Sequence, residues 1–474
     1  MILSLEEVLK ATGGRLIQGG TAVFFRGVST DSRTLKEGEL FIALKGDRFD
    51  GHNYAMEALA KNAKGVLVEE GRIGDSHWDG FRSRAVVAVK DSLQALGDIA
   101  RSRRKKWETP VVAVTGSNGK TTTKDMISAC LETAFPVLKT KGNLNNLIGL
   151  PMTLLDLTEK EKVVVLEMGM NVPGEIRKLT EIAEPDVGLI TNIQMVHLEG
   201  MGNLEKLKEE KGELFRRMRQ DGTIVVNQDD PRVVELSNGF PGRKITFGLE
   251  GHADVMATGV RPLGSRGISF TVVSGGQEAE MTIPLVGRHF VPNALSAFAV
   301  ATLFGVERDN IKGALERFQP TPMRMEVQRL EGGKTVINDA YNANPRSMEV
   351  ALGTLSELKG KGRAIAVLGD MLELGDTSES AHRQLGQKVR DLSIDFLIAM
   401  GEKASAVVES AVRHGLDRQR AKVATSHSAA ISILEGWLQE GDWILVKGSR
   451  RMAMEKIAEG LALLYKTRRG DAET

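Results

Sequence analysis

The sequence is poor in cysteine: Cys130 is the single one among 474 residues, so no disulfide can form within the chain. A reducing compartment is therefore expected, and Cys130 is interpreted as a small buried side chain rather than as a nucleophile. Long apolar runs are also missing, since no stretch of 18 apolar residues occurs. The first residues, MILSLEEVLK, carry acidic side chains where a signal peptide needs an apolar core. We therefore expect a cytoplasmic protein without a membrane span, in which Ser4 and Glu7 form a helix capping box.

An excess of charge of either sign is absent. Lys and Arg together number 63 and Asp and Glu 62, which leaves a net charge of +1. This balance gives no reason to expect a nucleic acid or an anionic membrane as a partner. The chain does contain one basic cluster, which we expect to be a solvated helix end near a domain junction. The cluster consists of Arg101, Arg103, Arg104, Lys105 and Lys106.

The length of the chain predicts several domains. A chain of 474 residues is too long for one hydrophobic core, and about 150 residues per domain suggests roughly three. In residues 1–91, apolar runs such as GELFIALKG and GVLVEE alternate with helical patterns, which predicts a small N-terminal α/β domain. A helix from about Ser92 through the basic cluster follows. Residues 92–318 and 319–474 are predicted to form a central and a C-terminal domain.

Both larger domains show repeated strand and helix patterns. In the central domain VVAVTG, KVVVLEMG, DVGLITNI and GTIVVNQDD are each followed by a helical pattern, which predicts a parallel sheet. Its ligand crevice should lie at the carboxyl ends of the strands. The segment GISFTVVSGGQEAEMTIPLVG instead predicts a hairpin that turns at Ser274-Gly275-Gly276. After the prolines of FQPTPMRME the alternation resumes, from KTVINDAY to DWILVKGS, and predicts a C-terminal doubly wound, Rossmann-like domain. The fold class is thus α/β with three domains.

A glycine-rich segment, TGSNGKT, lies where a strand pattern ends and a helical pattern begins. Glycines allow backbone N–H groups to face a phosphate, and the N-terminus of the helix adds positive potential. In such a P-loop Lys120 would reach the β- and γ-phosphates, and the Thr121 hydroxyl would ligate magnesium. The general pattern G-x-x-x-x-G-K-[ST] requires glycine where this chain has Val114. The agreement of strand, G-K-T and helix nevertheless predicts a central P-loop ATPase domain. The expected nucleotide contacts are Thr115, Gly116, Ser117, Asn118, Gly119, Lys120, Thr121 and Thr122.

Three further residues are candidates for a metal site at the same edge of the sheet. Glu167 ends the apolar run VVVLEMGM, and a carboxylate in such a place is seldom structural because burying it unpaired is unfavourable. His197 follows the next strand, where a histidine is as readily a core or surface residue as a ligand. Lys211, in LKEEKGELF, is by its pattern one more solvated helix lysine.

Several segments together resemble the Mur ligases of peptidoglycan synthesis, and the resemblance covers nearly the whole chain. In chain order the segments are TGSNGKTT, EMGM, HLE, EKGELF, GRHFVPNALSA, PMRME, NDAYNANPRSM and VKGSR. The P-loop of that family lacks the first glycine of the general pattern, which accounts for Val114. Within the family, DAYNANPRSM and LGDMLELG are similar to the branch that joins D-alanyl-D-alanine to UDP-N-acetylmuramoyl-tripeptide. The segment DYAHTPD, typical of the branch that adds the third amino acid, is absent. Two departures from the family pattern, Gln194-Met195 before HLE and phenylalanine after the histidine of GRHF, concern the local loop geometry.

The resemblance implies contacts to the substrates. Asp31, Ser32 and Arg33, in STDSR, would bind the uridine nucleotide. A second group in KGNLNNLIGLP would line the path of the muramoyl peptide, although GNLNN by itself is typical of a polar turn. This second group consists of Asn143, Asn145 and Asn146. The substrate contacts implied in the C-terminal domain are Asn342, Asn344, Lys447 and Ser449.

The resemblance also implies ATP contacts and a metal centre. Asn293 and Arg324 would contact ATP, Asp339 would hold the ribose, and Tyr341 would lie near the nucleotide. Two Mg²⁺ ions are implied, with Thr121, Glu167 and His197 among the ligands. Lys211 is implied to be carbamylated by carbon dioxide, which converts an ammonium into an anionic oxygen ligand for the second ion. The catalytic residues implied in this way are Lys120, Glu167, His197 and Lys211.

The activity that the resemblance implies is ATP-dependent amide ligation through an acyl phosphate, carried out by a monomer. Two related activities remain open: addition of the third amino acid to the dipeptide precursor, and glutamate addition to folate by a folylpolyglutamate synthase. A nucleotide-gated binding module is an alternative from another class. Such a switch does not need Glu167, His197, Lys211 and a third-domain DAYNANP segment together.

Overall fold

The computed structural model describes residues 2–46, 48–72, 78–194 and 203–465, so His197 and Met195 lie outside the described residues. Three main sheets and one two-stranded ribbon are formed in these ranges. The mixed α/β architecture with three domains agrees with the predicted fold class. The predicted boundaries at residues 91 and 318 stay predictions. None of the helices in the described ranges is both long enough and apolar enough to cross a bilayer.

The N-terminal sheet has five strands in the order β2-β7-β6-β5-β4, with β2 antiparallel to β7 and the other pairs parallel. The strands of this region are β1 (Leu3–Ser4), β2 (Arg15–Gln18), β3 (Phe24–Phe25), β4 (Val28–Ser29), β5 (Leu40–Ile42), β6 (Gly65–Glu69) and β7 (Ala85–Val89). Its helices are α1 (Leu5–Thr12) and α2 (Ala55–Ala60). The capping box is confirmed, because Glu7 N donates to Ser4 Oγ at 3.1 Å and Ser4 N donates to Glu7 Oε2 at 2.8 Å.

Helix α3 (Ser92–Trp107) carries the basic cluster and packs against α1 on one side and against helices of the central domain on the other. The prediction that the basic cluster is a solvated helix end was wrong for two of its residues. Arg103 and Arg104 are buried, and their guanidinium groups donate to the carbonyls of Leu157 and Ala183 at 2.9 and 3.1 Å. Carbonyls at the ends of neighbouring segments need donors, and these two arginines supply them at the junction.

The central sheet has nine strands in the order β16-β15-β14-β13-β12-β11-β8-β10-β9. Strands β8 to β14 run parallel, and β15 and β16 extend the sheet as the predicted hairpin, which turns at Gly275 and Gly276 with φ of 58° and 73°. The strands are β8 (Val111–Thr115), β9 (Val137–Lys139), β10 (Val163–Glu167), β11 (Val187–Ile190), β12 (Thr223–Asn227), β13 (Arg243–Gly248), β14 (Val255–Pro262), β15 (Ile268–Ser274) and β16 (Gln277–Ile283). The helices are α4 (Lys120–Leu131), α5 (Gly149–Leu155), α6 (Glu175–Ala183), α7 (Leu204–Arg217), α8 (Pro231–Ser237), α9 (Val291–Leu303) and α10 (Arg308–Glu316).

Strand β8 marks the point where the strand order of the central sheet reverses. It lies between β10 and β11: the chain passes from β8 to β9 and back to β10 on one side, and then crosses to β11 on the other. A crevice forms at the carboxyl end of such a strand, since the helices on its two sides leave the sheet on opposite faces. Cys130, in α4, is buried beneath this point, and burial raises the pKa of its thiol to about 12, which confirms a packing role.

The C-terminal sheet has six strands in the order β17-β18-β22-β19-β20-β21, of which only β17 is antiparallel to its neighbour. This is the doubly wound arrangement predicted from the sequence. The strands are β17 (Glu326–Leu330), β18 (Lys334–Asp339), β19 (Ala364–Gly369), β20 (Phe396–Met400), β21 (Ala421–Ala424) and β22 (Trp443–Lys447). The helices are α11 (Pro345–Leu358), α12 (Ser378–Asp391), α13 (Ala404–Arg413), α14 (His427–Trp437) and α15 (Glu455–Leu464).

Candidate active site

A cleft of about 830 Å³ lies between the carboxyl ends of the central strands and the C-terminal domain. Most of the residues predicted from the sequence to form a site line this cleft, although they come from distant parts of the chain. They are Ser117, Asn118, Gly119, Lys120, Thr121, Thr122, Asn143, Asn145, Asn146, Glu167, Lys211, Asn293, Arg324, Asp339, Tyr341, Asn342, Asn344 and Lys447. Their roles remain predictions, but their placement in one cleft is a property of the fold.

Some predicted residues do not line the cleft. Thr115 and Ser449 lie behind its wall, where Thr115 Oγ1 donates to Met168 O and Ser449 Oγ accepts from Leu372 N, both at 2.8 Å. Asp31 and its neighbours belong to the N-terminal domain, outside the lining of the cleft. The Arg33 guanidinium hydrogen-bonds the carboxylate of Asp31 at 2.7 Å and lowers its pKa to about 2. Arg33 is 83% exposed, so its charge is open to an anionic ligand.

The loop at the carboxyl end of β8 requires two of its glycines. Gly116 has φ of +144°, and a Cβ there would stand 1.9 Å from Thr191 Oγ1. Gly119 precedes α4 with φ of +80°, and its Cβ would press on the side chain of Asn293 at 3.0 Å. Only glycine avoids both the strained backbone and the close contacts, which explains the two glycines of TGSNGKT.

The segment after β11 holds this loop in place, and its residues were not predicted from the sequence. Ser117 N donates to Asn192 O at 2.9 Å, and Asn118 N donates to Asn192 Oδ1 at 3.0 Å. Thr191 Oγ1 donates to the carbonyl of Asn118 at 2.6 Å. The sequence does carry a signal for these residues: in LITNI, Thr191 and Asn192 directly follow the apolar residues of β11. Polar residues at the carboxyl end of a parallel strand face the ligand crevice.

Lys120 begins α4 and folds back over the loop. Its Nζ donates to the carbonyls of Gly116 and Ser117 at 2.9 and 3.3 Å. Burial lowers the pKa of the ammonium, Glu167 opposes this change by attraction, and Arg324 adds to it by repulsion. Lysine, glutamate and arginine are therefore close enough to interact electrostatically across the cleft, as expected for a site that neutralises phosphate charge.

Glu167 lies at the end of β10 and is only 2% exposed. Its Oε1 accepts a hydrogen bond from Asn145 Nδ2 at 2.8 Å, whereas Oε2 has no hydrogen-bond partner in the described part of the chain. A buried carboxylate oxygen without a donor is unfavourable unless a cation approaches it. This orphaned oxygen and the Thr121 hydroxyl line the same cleft, and such oxygens are the ligands that Mg²⁺ prefers. The described residues form no group of three His, Cys, Asp or Glu side chains that could hold a metal unaided.

Lys211 contradicts the interpretation of its pattern as a solvated helix lysine. It lies in α7, is 2% exposed and faces the cleft. Burial lowers the pKa of its amine well below the ordinary range, Lys120 lowers it further, and Glu210 raises it. The amine therefore loses its proton at lower pH than an exposed lysine does, and the neutral amine is the form that reacts with carbon dioxide.

Arg324 reaches the P-loop helix from the start of the C-terminal domain. Its Nη2 donates to Thr121 Oγ1 at 3.0 Å, and its guanidinium lies 4.0 Å from the centre of the Tyr341 ring. Its neighbours Met323 and Met325 have φ of 60° and 50°, a left-handed conformation that costs about 1–3 kcal/mol for each such residue. A turn strained on both sides of one arginine indicates that its position matters more than local stability.

The other residues of the C-terminal face form a hydrogen-bonded frame. Lys447 Nζ donates to Asp339 Oδ2 at 2.6 Å and to Asn342 O at 2.9 Å. Asn344 caps α11 by accepting from Ser347 N at 2.9 Å, and its amide donates to Asn118 Oδ1 at 2.9 Å. The last bond joins the C-terminal domain directly to the phosphate loop. Both the carboxylate of Asp339 and the amide of Asn344 thus have structural partners in addition to their predicted roles.

His289, in the segment GRHF, lines the cleft and was not among the predicted site residues. Burial lowers the pKa of its imidazole to about 4, while Asp339 opposes and Lys447 adds to the change, so the ring is neutral at physiological pH. Its Nδ1 has no hydrogen-bond partner among the described residues, and its ring lies 4.1 Å from that of Phe290. The ring thus reaches the cleft in its neutral form, with one buried nitrogen left without a partner in the described ranges.

Comparison with known families assigns the class of protein. Three family models match successive parts of the chain: "Mur ligase family, catalytic domain" at residues 25–104, "Mur ligase middle domain" at 114–301, and "Mur ligase, glutamate ligase domain" at 323–450. The chain belongs to the Mur ligase family, which confirms the resemblance seen in the sequence. The site described above lies within the second and third of these matches.

Individual relatives are similar over the full length. The UDP-N-acetylmuramoyl-tripeptide–D-alanyl-D-alanine ligase of Bacillus subtilis (strain 168) is 38% identical over 465 residues, which are 97% of this chain and 98% of the relative. A crystal structure of MurF from Acinetobacter baumannii has a TM-score of 0.88 at 32% identity and covers 97% of this chain and 99% of its own. The structure of MurF ligase from Thermotoga maritima in complex with ADP has a TM-score of 0.82 at 26% identity, with coverage of 92% and 97%.

Proposed function

We propose that this chain is an ATP-dependent ligase that joins D-alanyl-D-alanine to UDP-N-acetylmuramoyl-tripeptide and so forms a C–N bond. The observation that carries the proposal is the convergence of Lys120, Glu167, Lys211 and Arg324 on one cleft shared by two domains. Full-length relatives named for this reaction support the choice of substrates. The product would be the UDP-linked pentapeptide precursor of peptidoglycan.

The chemistry explains why cationic groups gather in the cleft. A peptide carboxylate is an anion and resists attack by an amine, so its oxygen first attacks the γ-phosphorus of ATP and displaces ADP. The amine of the dipeptide then attacks the carbonyl carbon of the acyl phosphate, loses a proton and expels phosphate. Lys120 and Arg324 would hold the phosphoryl oxygens, and the N–H groups of the glycine loop would orient them. Closure of the C-terminal domain over the cleft would keep water from the acyl phosphate.

Magnesium fits the donor set of the cleft. Thr121 and Glu167 would hold one ion, and carbamylated Lys211 would contribute to a second, together with His197, which lies outside the described residues. When bound, Mg²⁺ would neutralise part of the charge on the phosphate oxygens. The carbamate would form when the neutral amine nitrogen of Lys211 bonds to the carbon of carbon dioxide and one proton leaves. The ADP complex of the Thermotoga maritima relative supports nucleotide binding in this fold.

The substrates would enter from two sides. The nucleotide end of the first substrate would bind at Asp31, Ser32 and Arg33 in the N-terminal domain. Its peptide would pass Asn143, Asn145 and Asn146, of which Asn145 already contacts Glu167. Asn342 and Asn344 would meet the incoming dipeptide, with Lys447 and Ser449 supporting that face of the cleft. We place the reaction in the cytoplasm and assign it to a monomer, because one chain supplies both faces of the cleft.

Phosphate release tests the proposed reaction. With ATP and UDP-N-acetylmuramoyl-tripeptide, we expect sustained release only when D-alanyl-D-alanine is added. Parallel assays with diaminopimelate- and lysine-containing tripeptides identify the third residue of the substrate. Incorporation of one amino acid into the dipeptide precursor, or of glutamate into folate, would instead establish one of the related activities. Nucleotide binding without any amine-dependent turnover would favour the nucleotide-gated binding module.

Replacing Glu167 with glutamine is expected to raise the Mg²⁺ concentration for half-maximal activity about tenfold, because the neutral amide is a weaker ligand than the carboxylate. Magnesium titrations of phosphate release measure this change. Glu132→Gln, at an exposed position just beyond the C-terminal end of the same P-loop helix, is the matched control and should leave the titration unchanged. An unaltered magnesium requirement in Glu167→Gln would exclude a ligand role for this carboxylate.

A further inference from the structure

Helix α4 carries an ion pair between a buried lysine and a partly exposed aspartate, and the proposed mechanism has no use for it. Lys124 is 2% exposed, and its Nζ lies 2.9 Å from Asp125 Oδ1 and donates to Thr140 O at 2.8 Å. Burying a lysine is unfavourable unless an ion pair and hydrogen bonds compensate for the lost water, whereas Asp125 stays 24% exposed. The hydrogen-bond partners of this pair lie in two different segments of the chain.

On one side the pair contacts the start of the C-terminal domain. Asp125 Oδ2 accepts a hydrogen bond from Thr321 Oγ1 at 3.0 Å, and the carbonyl of Thr321 accepts from Arg324 N at 3.2 Å. Thr121 and Asp125 are four residues apart and therefore lie on the same face of α4, one turn from each other. Thr121 receives the guanidinium of Arg324, so residues 321–324 contact α4 at two points along one face.

On the other side the pair contacts the segment that supports Glu167. Thr140, whose carbonyl accepts from Lys124, also receives the backbone N–H of Glu167 on its Oγ1 at 3.0 Å. One continuous set of hydrogen bonds therefore runs from Glu167 through Lys124 and Asp125 to the turn that carries Arg324. Glu167 and Arg324, which both act electrostatically on Lys120, therefore share this support.

We infer that Asp125 and Thr321 are positioning residues that hold Arg324 at the phosphate end of α4. Neither side chain lines the cleft, so they act through Arg324 rather than on the substrate. The left-handed residues Met323 and Met325 favour release of the turn, and the bond from Thr321 to Asp125 resists it. The inference rests on the proposed function, in which Arg324 binds the phosphoryl oxygens.

Thr321→Val tests the inference, because valine keeps the shape of the side chain and removes its donor. We expect kcat to fall about tenfold and kcat/KM for ATP to fall about fiftyfold, because ATP binding is also weakened, with an unchanged thermal midpoint. Thr321→Ser keeps a hydroxyl and should retain most of the activity. Thr302→Val, at an exposed position of α9, is the matched control and should behave as the wild type.

A double-mutant cycle separates positioning from a general structural effect. In the Arg324→Ala background, Thr321→Val should lower kcat by less than about twofold, since the group that it positions is already gone. A full tenfold loss in that background, or wild-type kcat in Thr321→Val alone, would overturn the inference. Calorimetric titration with the ATP analogue AMP-PNP gives a second readout that does not depend on the assigned substrates. There we expect Thr321→Val to weaken binding about fivefold, as Arg324→Ala should, whereas equal affinities of Thr321→Val and wild type would also overturn it.

Discussion

Lys120→Ala is expected to lower kcat about 10³-fold and to leave the fold intact. The ammonium is held by the carbonyls of Gly116 and Ser117 at the mouth of the glycine loop, where the proposed function places the phosphoryl oxygens. A preorganised charge in an enclosed site contributes more than the same charge in water, and its loss is felt mainly in the transition state. Phosphate release in the presence of both substrates measures the effect, with circular dichroism to verify folding.

Two further variants serve as comparisons for Lys120→Ala. Lys178→Ala removes a lysine from an exposed position of α6 and should leave kcat unchanged. Lys120→Arg keeps the charge but replaces a compact ammonium with a planar fork, and we expect it to recover only a small part of the activity. Activity within about tenfold of the wild type in Lys120→Ala would contradict the assignment of Lys120 to the transferred phosphoryl group.

Lys211→Ala is expected to be inactive, with activity below about 1% of the wild type, and to be partly restored by acetate or formate. Removing the side chain opens space at a buried position of the cleft, and a small carboxylic acid can place an anionic oxygen where the carbamate oxygen would stand. Phosphate release with increasing concentrations of the acid measures the recovery. Lys206→Ala, at an exposed position of the same helix, is the control and should neither lose activity nor respond to the acid.

The buried position of Lys211 also leads us to expect that the activity depends on pH and on carbon dioxide. Because burial lowers the pKa of Lys211, its amine stays neutral at pH values where an exposed lysine is protonated. The carbamate should therefore persist to lower pH than one on an exposed lysine would, and be lost as the pH falls through this lowered pKa, when the amine binds a proton and carbon dioxide leaves. Depleting carbon dioxide should lower the activity of the wild type, and bicarbonate should restore it. In ¹³C-labelled bicarbonate, a carbamate resonance present in the wild type and also in Lys211→Ala would rule out this site.

Local patterns predicted the main strands well. Strands β8, β10 and β11 are mostly apolar runs buried on both faces, and such runs are typical of parallel sheets. The patterns missed β9 and β17, which are short or carry charged residues. Each of these strands forms because a neighbouring strand offers unpaired backbone groups. For β9 that neighbour is β10, from which it is separated by a loop and helix α5.

The residues of the site also fall into two groups, those that local sequence patterns predict and those that only packing between distant segments brings in. The glycine loop and Lys120 lie within one strand–turn–helix unit, whose spacing already dictates where the backbone N–H groups point. Asn192, His289 and Asp125 belong to the site or its support only because other segments pack against them. Their residue types in the sequence are common in turns and on helix surfaces, so no local pattern separates them from such positions.

By itself the sequence determined the α/β class, the position of the phosphate loop and, through the order of its segments, the family. Each of these depends on residues close together in the chain, where spacing and backbone geometry are enough. Only the tertiary structure decided that Lys211 is buried with a lowered pKa, that Arg103 and Arg104 are buried at a junction, and that Thr321 contacts Asp125. The physical reason is that burial and charge interaction depend on distance in space, and the folding of three sheets brings together groups that the chain keeps far apart.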